Sequence, residues 1–188
     1  MDLFKKYLHD NFKLSDENWQ IISQFIEPMR VSKGEYFVQQ GKVCRRLAFI
    51  AEGVFRLCME RDGLDITCYF VSENGFVGDP DSFYSRKPSD KNMQALTDAL
   101  IVGITLDNLQ KIYSEYPPFK DMIRSIDHMV VMDLMTQRDF LQHADAREKY
   151  QHFLHHYPHI LQRVPLGFVA SFLGITQQSL SRLRKEIS

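Results

Sequence analysis

The feature that most constrains the fold is a series of short apolar segments between Pro28 and residue 105. The segments "GEYFVQQG", "RRLAFIAEG", "VFRLCMERDG" and "DITCYFV" are rich in β-branched and aromatic residues, and Gly-containing turns separate them. Glu52-Gly53 and Asp62-Gly63 are typical of hairpin turns, because glycine tolerates the positive φ that such turns need. "NMQALTDALIVGITL" predicts two further strands. Several short strands at close spacing favour an antiparallel barrel or jelly roll.

Helical patterns flank this β-rich region on both sides. Residues 1–27 have helical apolar spacing, with Ser15 placed to cap a helix at "LSDENW". From "DNLQKIYSEYP" onward the pattern is helical again, and an apolar stripe recurs at three- and four-residue steps through Phe119, Met122, Ile123, Ile126, Met129, Val130 and Leu134, weakly to Leu141. The stripe fits either a helix packed on its own barrel or a helix that pairs with a second copy of itself. Its length and methionine content favour the homodimer.

Bulk properties narrow the class of protein. With 188 residues, 44% of them hydrophobic, and a net charge of −1, the chain is globular and is not uniformly basic. Its three cysteines lack CxxC spacing, which argues against a disulfide framework and favours a reducing cytoplasm. No apolar run is long enough to span a bilayer, and "MDLFKKYLHD" lacks the apolar core of a signal peptide. We therefore expect a cytoplasmic protein without membrane partners.

The last residues, "PLGFVASFLGITQQSLSRLRKEIS", have the layout of a helix-turn-helix. Pro165 suits a first helical turn, Gly174 suits the left-handed residue that ends the helix, and Thr176 can cap the next helix. Six cations against three carboxylates give residues 142–188 a net charge of +3 in an otherwise acidic chain. The alternative is an amphipathic terminal helix with a solvated basic face.

The polar face of the second helix has the chemistry that a DNA groove requires. Gln can pair bidentately with adenine, Arg can do so with guanine, and Ser or Thr can bind base edges or phosphates. Lysine, arginine and the amides at the start of the helix can hold phosphates. The predicted DNA-binding residues are Thr176, Gln177, Gln178, Ser179, Ser181, Arg182, Arg184 and Lys185.

The chain resembles the Crp/Fnr family of bacterial transcription regulators, and the tail is similar to versions common in Bacteroidetes. The resemblance covers nearly the whole length and includes "KGEYFVQQG", "FIAEGVFRL", "YFVSENGFVGD", the long central helix and "VASFLGITQQSLSRLRK". It implies an α+β protein with an N-terminal antiparallel β-roll of the cyclic-nucleotide-binding type, a long dimerisation helix and a C-terminal winged helix-turn-helix. By position, Gln177, Gln178 and Arg182 match the base-reading residues of the family.

The sequence departs from the family pattern at three places. The wing that follows the recognition helix is expected to be reduced or absent, because the sequence ends at Ser188. The cyclic-nucleotide signature, Gly-Glu at the ribose and Arg before a small residue at the phosphate, is incomplete. The N-terminal cysteine cluster of the iron–sulfur relatives is missing, and nothing indicates haem.

The effector pocket that the resemblance implies is therefore altered. Gly78-Asp79 stands in place of Gly-Glu, and "SRKPSDKNMQA" lacks an arginine followed by a small residue. The candidate pocket residues are Gly78, Asp79, Ser82, Arg86 and Lys91. We expect that the β-roll does not bind cyclic AMP in the standard way, since the phosphate lacks its guanidinium fork. The effector is unknown, and a cyclic nucleotide remains one candidate.

The positions of the histidines bear on whether the protein binds a metal or catalyses a reaction. His152, His155, His156 and His159 could place metal ligands on one helical face, but Pro158 interrupts the helix, so a solvated face is favoured. Barrel enzymes coordinate metal through histidines on strands, and region 1–115 contains only His9, on the leading helix. We expect no metal site and no enzymatic activity.

Together these patterns predict a homodimeric DNA-binding transcription regulator. Residues 1–115 form the sensor, 116–141 the dimerisation helix and 142–188 the DNA-binding unit. The predicted partners are a pseudo-palindromic operator, a second copy of the chain and RNA polymerase. The alternative is a signalling module that binds a ligand or a protein through the β-roll, with C-terminal helices that do not bind DNA.

Overall fold

The computed structural model describes residues 1–187, which form eight helices and eight strands. The strands are β1 (Glu27–Val31), β2 (Tyr36–Val38), β3 (Arg46–Glu52), β4 (Phe55–Arg61), β5 (Leu64–Val71), β6 (Phe76–Val77), β7 (Asn92–Ala95) and β8 (Ala99–Thr105). The helices are α1 (Asp2–Phe12), α2 (Asp16–Ser23), α3 (Pro80–Ser85), α4 (Leu106–Glu115), α5 (Phe119–His143), α6 (Ala146–His156), α7 (Leu166–Leu173) and α8 (Gln177–Ile187). The predicted α+β class with an antiparallel β-roll is confirmed. The predicted reduction of the wing concerns the chain beyond Ile187, outside the described residues, and stays a prediction.

Two four-stranded antiparallel sheets form the roll. The first has the order β1-β8-β3-β6 and the second the order β2-β7-β4-β5. The two sheets share one apolar core, in which Phe49 of β3, Phe55 of β4 and Ile101 of β8 are almost completely buried. Helix α1 extends this core, because Phe4 packs against Trp19 and Phe49 at ring-centroid distances of 6.2 and 4.9 Å. As predicted, Ser15 caps α2 by accepting the N–H of Asn18.

The two glycine turns differ in what they connect. Asp62-Gly63 joins β4 to β5 as a hairpin, with φ values of 54° and 76° and Arg61 opposite Leu64. The prediction of a hairpin at Glu52-Gly53 was wrong, because β3 pairs with β8 and β6 whereas β4 pairs with β5 and β7. This turn instead carries the chain from the first sheet to the second. Gly53 has a φ of 118°, and a Cβ there would lie 2.5 Å from the Cβ of Ala99, so the crossing also needs close backbone approach.

Helix α5 divides into two parts with different surroundings. Near its start, Phe119 and Met122 are buried in the core of the roll, and Ile126 is buried as well. Further along, four apolar side chains are 45–49% exposed: Met129, Val131, Met132 and Met135. The first half of the predicted stripe therefore packs on the roll of the same chain, and of the four exposed residues only Met129 belongs to that stripe. We call the four exposed residues the methionine stripe.

The C-terminal helices α6–α8 pack on the outer face of the second sheet. Their apolar cluster includes Val54, Phe70 and Leu96 from the roll, and Phe70 contacts the rings of Phe153 and Phe172 at 5.9 and 5.4 Å. Alternation along the strands explains this arrangement, because residues of opposite parity on β4 and β5 point to opposite faces of the sheet. None of the helices in the described range has the length and apolar character needed to cross a membrane.

Candidate nucleic-acid interface

The turn between α7 and α8 is built by the residues that the sequence indicated. Gly174 ends α7 with φ 66° and ψ 31°, the left-handed conformation in which glycine is favoured. The N–H of Ile175 donates to the carbonyl of Ala170 at 3.0 Å and closes the turn. Thr176 then accepts the N–H of Ser179 through its hydroxyl at 3.1 Å and so caps α8. The helix-turn-helix geometry therefore follows from local sequence.

Helix α8 has one apolar side and one polar side. Leu180 is completely buried, and Leu183 and Ile187 are half-buried against α6 and α7. Six of the eight predicted DNA-binding residues are exposed: Thr176, Gln177, Gln178, Ser181, Arg182 and Lys185. The first four line a shallow depression at the start of the helix. We call these six residues the reading face.

The other two predicted residues are partly enclosed. Ser179 is half-buried, and its hydroxyl lies 2.9 Å from that of Thr176, so it takes part in the helix cap. Arg184 is also half-buried, in the last turn of α8. The first turn of α8 contains no acidic residue, and Arg184 and Lys185 lie at the opposite end. The helix start thus offers amide donors and a positive dipole end without a competing side-chain carboxylate.

Two of the five candidate effector residues, Asp79 and Ser82, are buried and hydrogen-bonded. Asp79 is buried, caps α3 and accepts the hydroxyl of Ser89 at 2.6 Å. The hydroxyl of Ser82 accepts the N–H of Cys44 at 2.9 Å and donates to the carbonyl of Lys87 at 2.5 Å. These two polar side chains are therefore occupied in holding the α3 loop against β3.

The remaining three effector candidates have separate surroundings. Arg86 is exposed and pairs with Asp107 at 3.6 Å, and Lys91 lies 3.6 Å from Asp90. Gly78 has a φ of 150°, and a Cβ there would lie 2.5 Å from the side chain of Leu47. Sequence reasoning missed Ser89, the main partner of Asp79. A buried serine ten residues from its acceptor has no sequence signal apart from its small size.

Sequence reasoning also missed the polar contacts that join the roll to the helices. The hydroxyl of Tyr69 on β5 donates to Asp133 on α5. Burial and the negative charge of Asp133 raise the pKa of Tyr69, so the phenol stays protonated and remains a donor. Arg56 on β4 is only 2% exposed and lies under α7. The second sheet therefore contacts α5 through Tyr69 and α7 through Arg56.

The histidine run of α6 forms a partly exposed face. His155, His156 and His159 are exposed, whereas His152 stacks on Phe140 at 3.9 Å between ring centroids. His152 also lies 3.1 Å from the Gln137 side-chain oxygen through Nε2. Within residues 1–187, no group of three or more His, Cys, Asp or Glu side chains is placed to hold a metal ion.

Comparison with known proteins identifies one domain and the overall fold. Residues 28–116 match the cyclic nucleotide-binding domain. No curated protein sequence matches the chain. Similar solved structures include the c-di-GMP-responsive global regulator CLP of Xanthomonas campestris, with a TM-score of 0.72, 15% identity and coverage of 92% of this chain and 91% of that one. FixK2 of Bradyrhizobium japonicum gives a TM-score of 0.74, 13% identity and coverage of 86% and 84%.

A third structure is described as a transcriptional regulator of the Crp/Fnr family, from Eubacterium rectale. It gives a TM-score of 0.69 at 16% identity and covers 96% of this chain and 87% of its own. The three alignments cover between 86% and 96% of this chain. At these identities the comparison establishes the fold. The resemblance indicated by the sequence motifs is thus confirmed for the domain and for the architecture.

Proposed function

Because this chain contains a cyclic nucleotide-binding domain and has the fold of Crp/Fnr-family transcription regulators, we propose that it regulates transcription by binding DNA as a homodimer. The observation that carries the proposal is the reading face of α8. Its amide, hydroxyl and cationic side chains point to solvent, while its leucines fill the core of the C-terminal unit. A terminal helix that served only to cover a core would not need this arrangement.

Each part of the reading face has a proposed task. Gln177 and Gln178, in the first turn, are placed to pair with adenine edges, and Arg182 one turn later is placed to pair with guanine. Thr176 and Ser181 are suited to phosphates or base edges, and Ser179 supports the cap. Lys185 and Arg184 are proposed to contact phosphates, which position the helix without reading sequence.

The methionine stripe of α5 is the proposed dimer contact. Its side chains are nearly half-exposed on a 25-residue helix, and burial against a second copy would remove them from water. Methionine adapts to irregular surfaces, which suits a helix pair. The proposed organisation is a sensor at 1–115, a dimerisation helix at 116–141 and a DNA-binding unit at 142–188. Cytoplasmic location and contact with RNA polymerase belong to the same proposal.

We also propose that the roll does not bind cyclic AMP in the standard way. Asp79 and Ser82 are already hydrogen-bonded, to the hydroxyl of Ser89 and to the N–H of Cys44 respectively, and a buried carboxylate repels a phosphate. The effector, if the protein uses one, is a different molecule. Calorimetric titration of the full chain with cyclic AMP checks this proposal, and saturable micromolar binding would contradict it.

The experiment for DNA binding is selection from a randomised pool, followed by sequencing, at two salt concentrations. We expect enrichment of a pseudo-palindrome and an affinity that decreases steeply with salt, because each phosphate contact releases a counterion. On the selected operator, Arg182→Ala is expected to cost about 1–3 kcal/mol and to relax discrimination at one base pair.

Arg30→Ala is the matched control. It removes the same charge from an exposed position on β1 of the first sheet, whereas α7 packs on β5 of the second sheet, and it should leave DNA affinity unchanged. If no sequence is enriched, or if Arg182→Ala and Arg30→Ala behave alike, the reading face does not read DNA. A signalling module without DNA binding is then the better description. The proposal assigns no enzymatic activity.

A further inference from the structure

A buried arginine joins the roll to the helix-turn-helix unit. The guanidinium of Arg56 donates to both carboxylate oxygens of Asp65, at 2.9 and 2.5 Å, and to the side-chain oxygen of Gln94, at 3.0 and 2.8 Å. It also donates to the hydroxyl of Thr67 at 3.1 Å. Arg56 lies on the outer face of the second sheet, and the ring of Phe168 from α7 covers its guanidinium at 3.8 Å.

Ser171 supplies a second contact from the same helix. Its hydroxyl accepts the N–H of Thr67 at 3.0 Å and donates to the carbonyl of Asp65 at 3.3 Å. Strand β5 is an edge strand of the second sheet, so these backbone groups would otherwise face solvent. One face of α7 is therefore fixed to the roll by Phe168 and Ser171 together.

An ion pair fixes the segment that leads into α7. Arg163 donates to the two carboxylate oxygens of Glu73 at 2.9 and 2.7 Å, and Glu73 also accepts the N–H of Gly53 at 2.8 Å. Burial alone would raise the pKa of Glu73, but the bonds from Arg163 and from backbone amides lower it to about 2. The carboxylate is therefore charged at neutral pH and the bidentate pair is intact.

These contacts restrain α8 although none of them involves it. Helix α8 packs on α7 through the buried Leu180, so the two helices move together. The contacts at Arg56, Ser171 and Arg163 are separated along the chain and fix both the position and the rotation of α7. The reading face stays exposed in this arrangement.

We infer that Arg56 and the Glu73–Arg163 pair are positioning residues for DNA reading, which set the orientation of α8 relative to the roll. In a dimer joined through α5 they thereby set the distance between the two reading faces, and so the spacing of half-sites that the protein accepts. The inference rests on the proposed function. A contact that served stability alone would affect binding to all operator spacings equally.

The test compares spacing preference in the full-length protein and its variants. Operators with half-sites moved apart or together by one and two base pairs are titrated with the unsubstituted protein, with Arg163→Gln and with Glu73→Gln. We expect the penalty for a one-base-pair change, about tenfold without substitution, to fall to about twofold in both variants. Glu73→Gln retains an oxygen for the Gly53 amide, so it separates the ion pair from the turn. The matched control is Arg46→Gln, which breaks a similarly exposed pair with Glu27 inside the first sheet.

A second measurement does not depend on DNA. A spin label at Glu186→Cys, in a Cys68→Ser background, reports the distance between the two α8 helices of a dimer. We expect one narrow distribution in the otherwise unsubstituted protein and a broader one with Arg163→Gln. Parallel spacing profiles in all proteins, or equal distance distributions, would overturn the inference while leaving the proposed function intact. Failure of the unsubstituted protein to bind any operator would instead refute the proposed function, and the distance distributions would still decide whether the ion pair orients α8.

Discussion

Replacement of Phe70 by alanine tests whether the roll and the C-terminal unit are held together by one apolar contact. Phe70 is completely buried, and its ring meets those of Phe153, Tyr157 and Phe172 at 5.9, 6.2 and 5.4 Å. Burial of such a side chain contributes about 1.5–3 kcal/mol. Each edge contact between rings adds about 0.5–1.5 kcal/mol, although neighbouring contacts are not additive. Allowing for the cavity, we expect a loss of about 3–5 kcal/mol in the free energy of unfolding.

The assay must show which part of the chain loses stability as well as how much stability is lost. Urea denaturation gives the global change, and hydrogen exchange read by mass spectrometry shows which segments open. For Phe70→Ala we expect faster exchange concentrated in α6–α8. The matched control is Phe55→Ala, because Phe55 is equally buried on the neighbouring strand but faces the core of the roll. It should open the roll instead.

Two results would refute this reasoning. One is a loss of less than about 1 kcal/mol for Phe70→Ala, which is far below the cost of an unfilled phenyl cavity. The other is an exchange pattern shared by Phe70→Ala and Phe55→Ala. In that case the chain unfolds as one unit and the interface has no separate stability.

Two further predictions follow from local geometry. Gly53→Ala is expected to lower the free energy of unfolding by about 1–3 kcal/mol in urea denaturation, because φ is 118° and the new methyl group meets Ala99. The control Gly63→Ala, where nothing lies within 4 Å of the new methyl group, should lower it less. Equal losses in the two variants would contradict the steric argument. Burial and the charges of His156 and His155 lower the pKa of His152 in the folded protein. The contribution of His152 to stability is therefore complete above its unfolded-state pKa of about 6.5, and it is lost as the pH falls through its folded-state pKa. The unfolding midpoint should therefore decrease as the pH falls from about 7.5 to 5.5. It should decrease less in His152→Gln than in the control variant His159→Gln, since His159 is exposed. An identical pH dependence in the two variants would exclude this role of His152.

The helix-turn-helix could be predicted in detail because its signals are local. Gly174 is needed for a left-handed turn, Thr176 caps the following helix, and Leu180 occupies the apolar face, all within seven residues. Such signals depend on backbone conformation and helical period, which neighbouring residues determine. The same holds for the Asp62-Gly63 hairpin.

The pairing of the strands could not be read in the same way. Glu52-Gly53 has the composition of a hairpin turn, yet it connects two sheets, because β3 finds its partner in β8, about fifty residues later. Registers between distant strands depend on how the whole core closes, and a turn dipeptide contains no information on that. The stripe of α5 was ambiguous for a related reason, since the same periodicity would suit packing on the roll or packing on a second copy.

Local sequence patterns specify most of the helical and strand segments, the turn chemistry and the polar face of α8. What that face is attached to depends on contacts between segments far apart in the chain. Arg56 is a charged residue between the apolar Phe55 and Leu57 of β4, and nothing nearby predicts that Asp65, Gln94 and Phe168 enclose it. Likewise, Asp79, a candidate effector residue, is hydrogen-bonded to Ser89, ten residues later. Buried polar groups must find partners wherever the fold brings them, so those partners lie far apart in sequence and become visible only when the chain is folded.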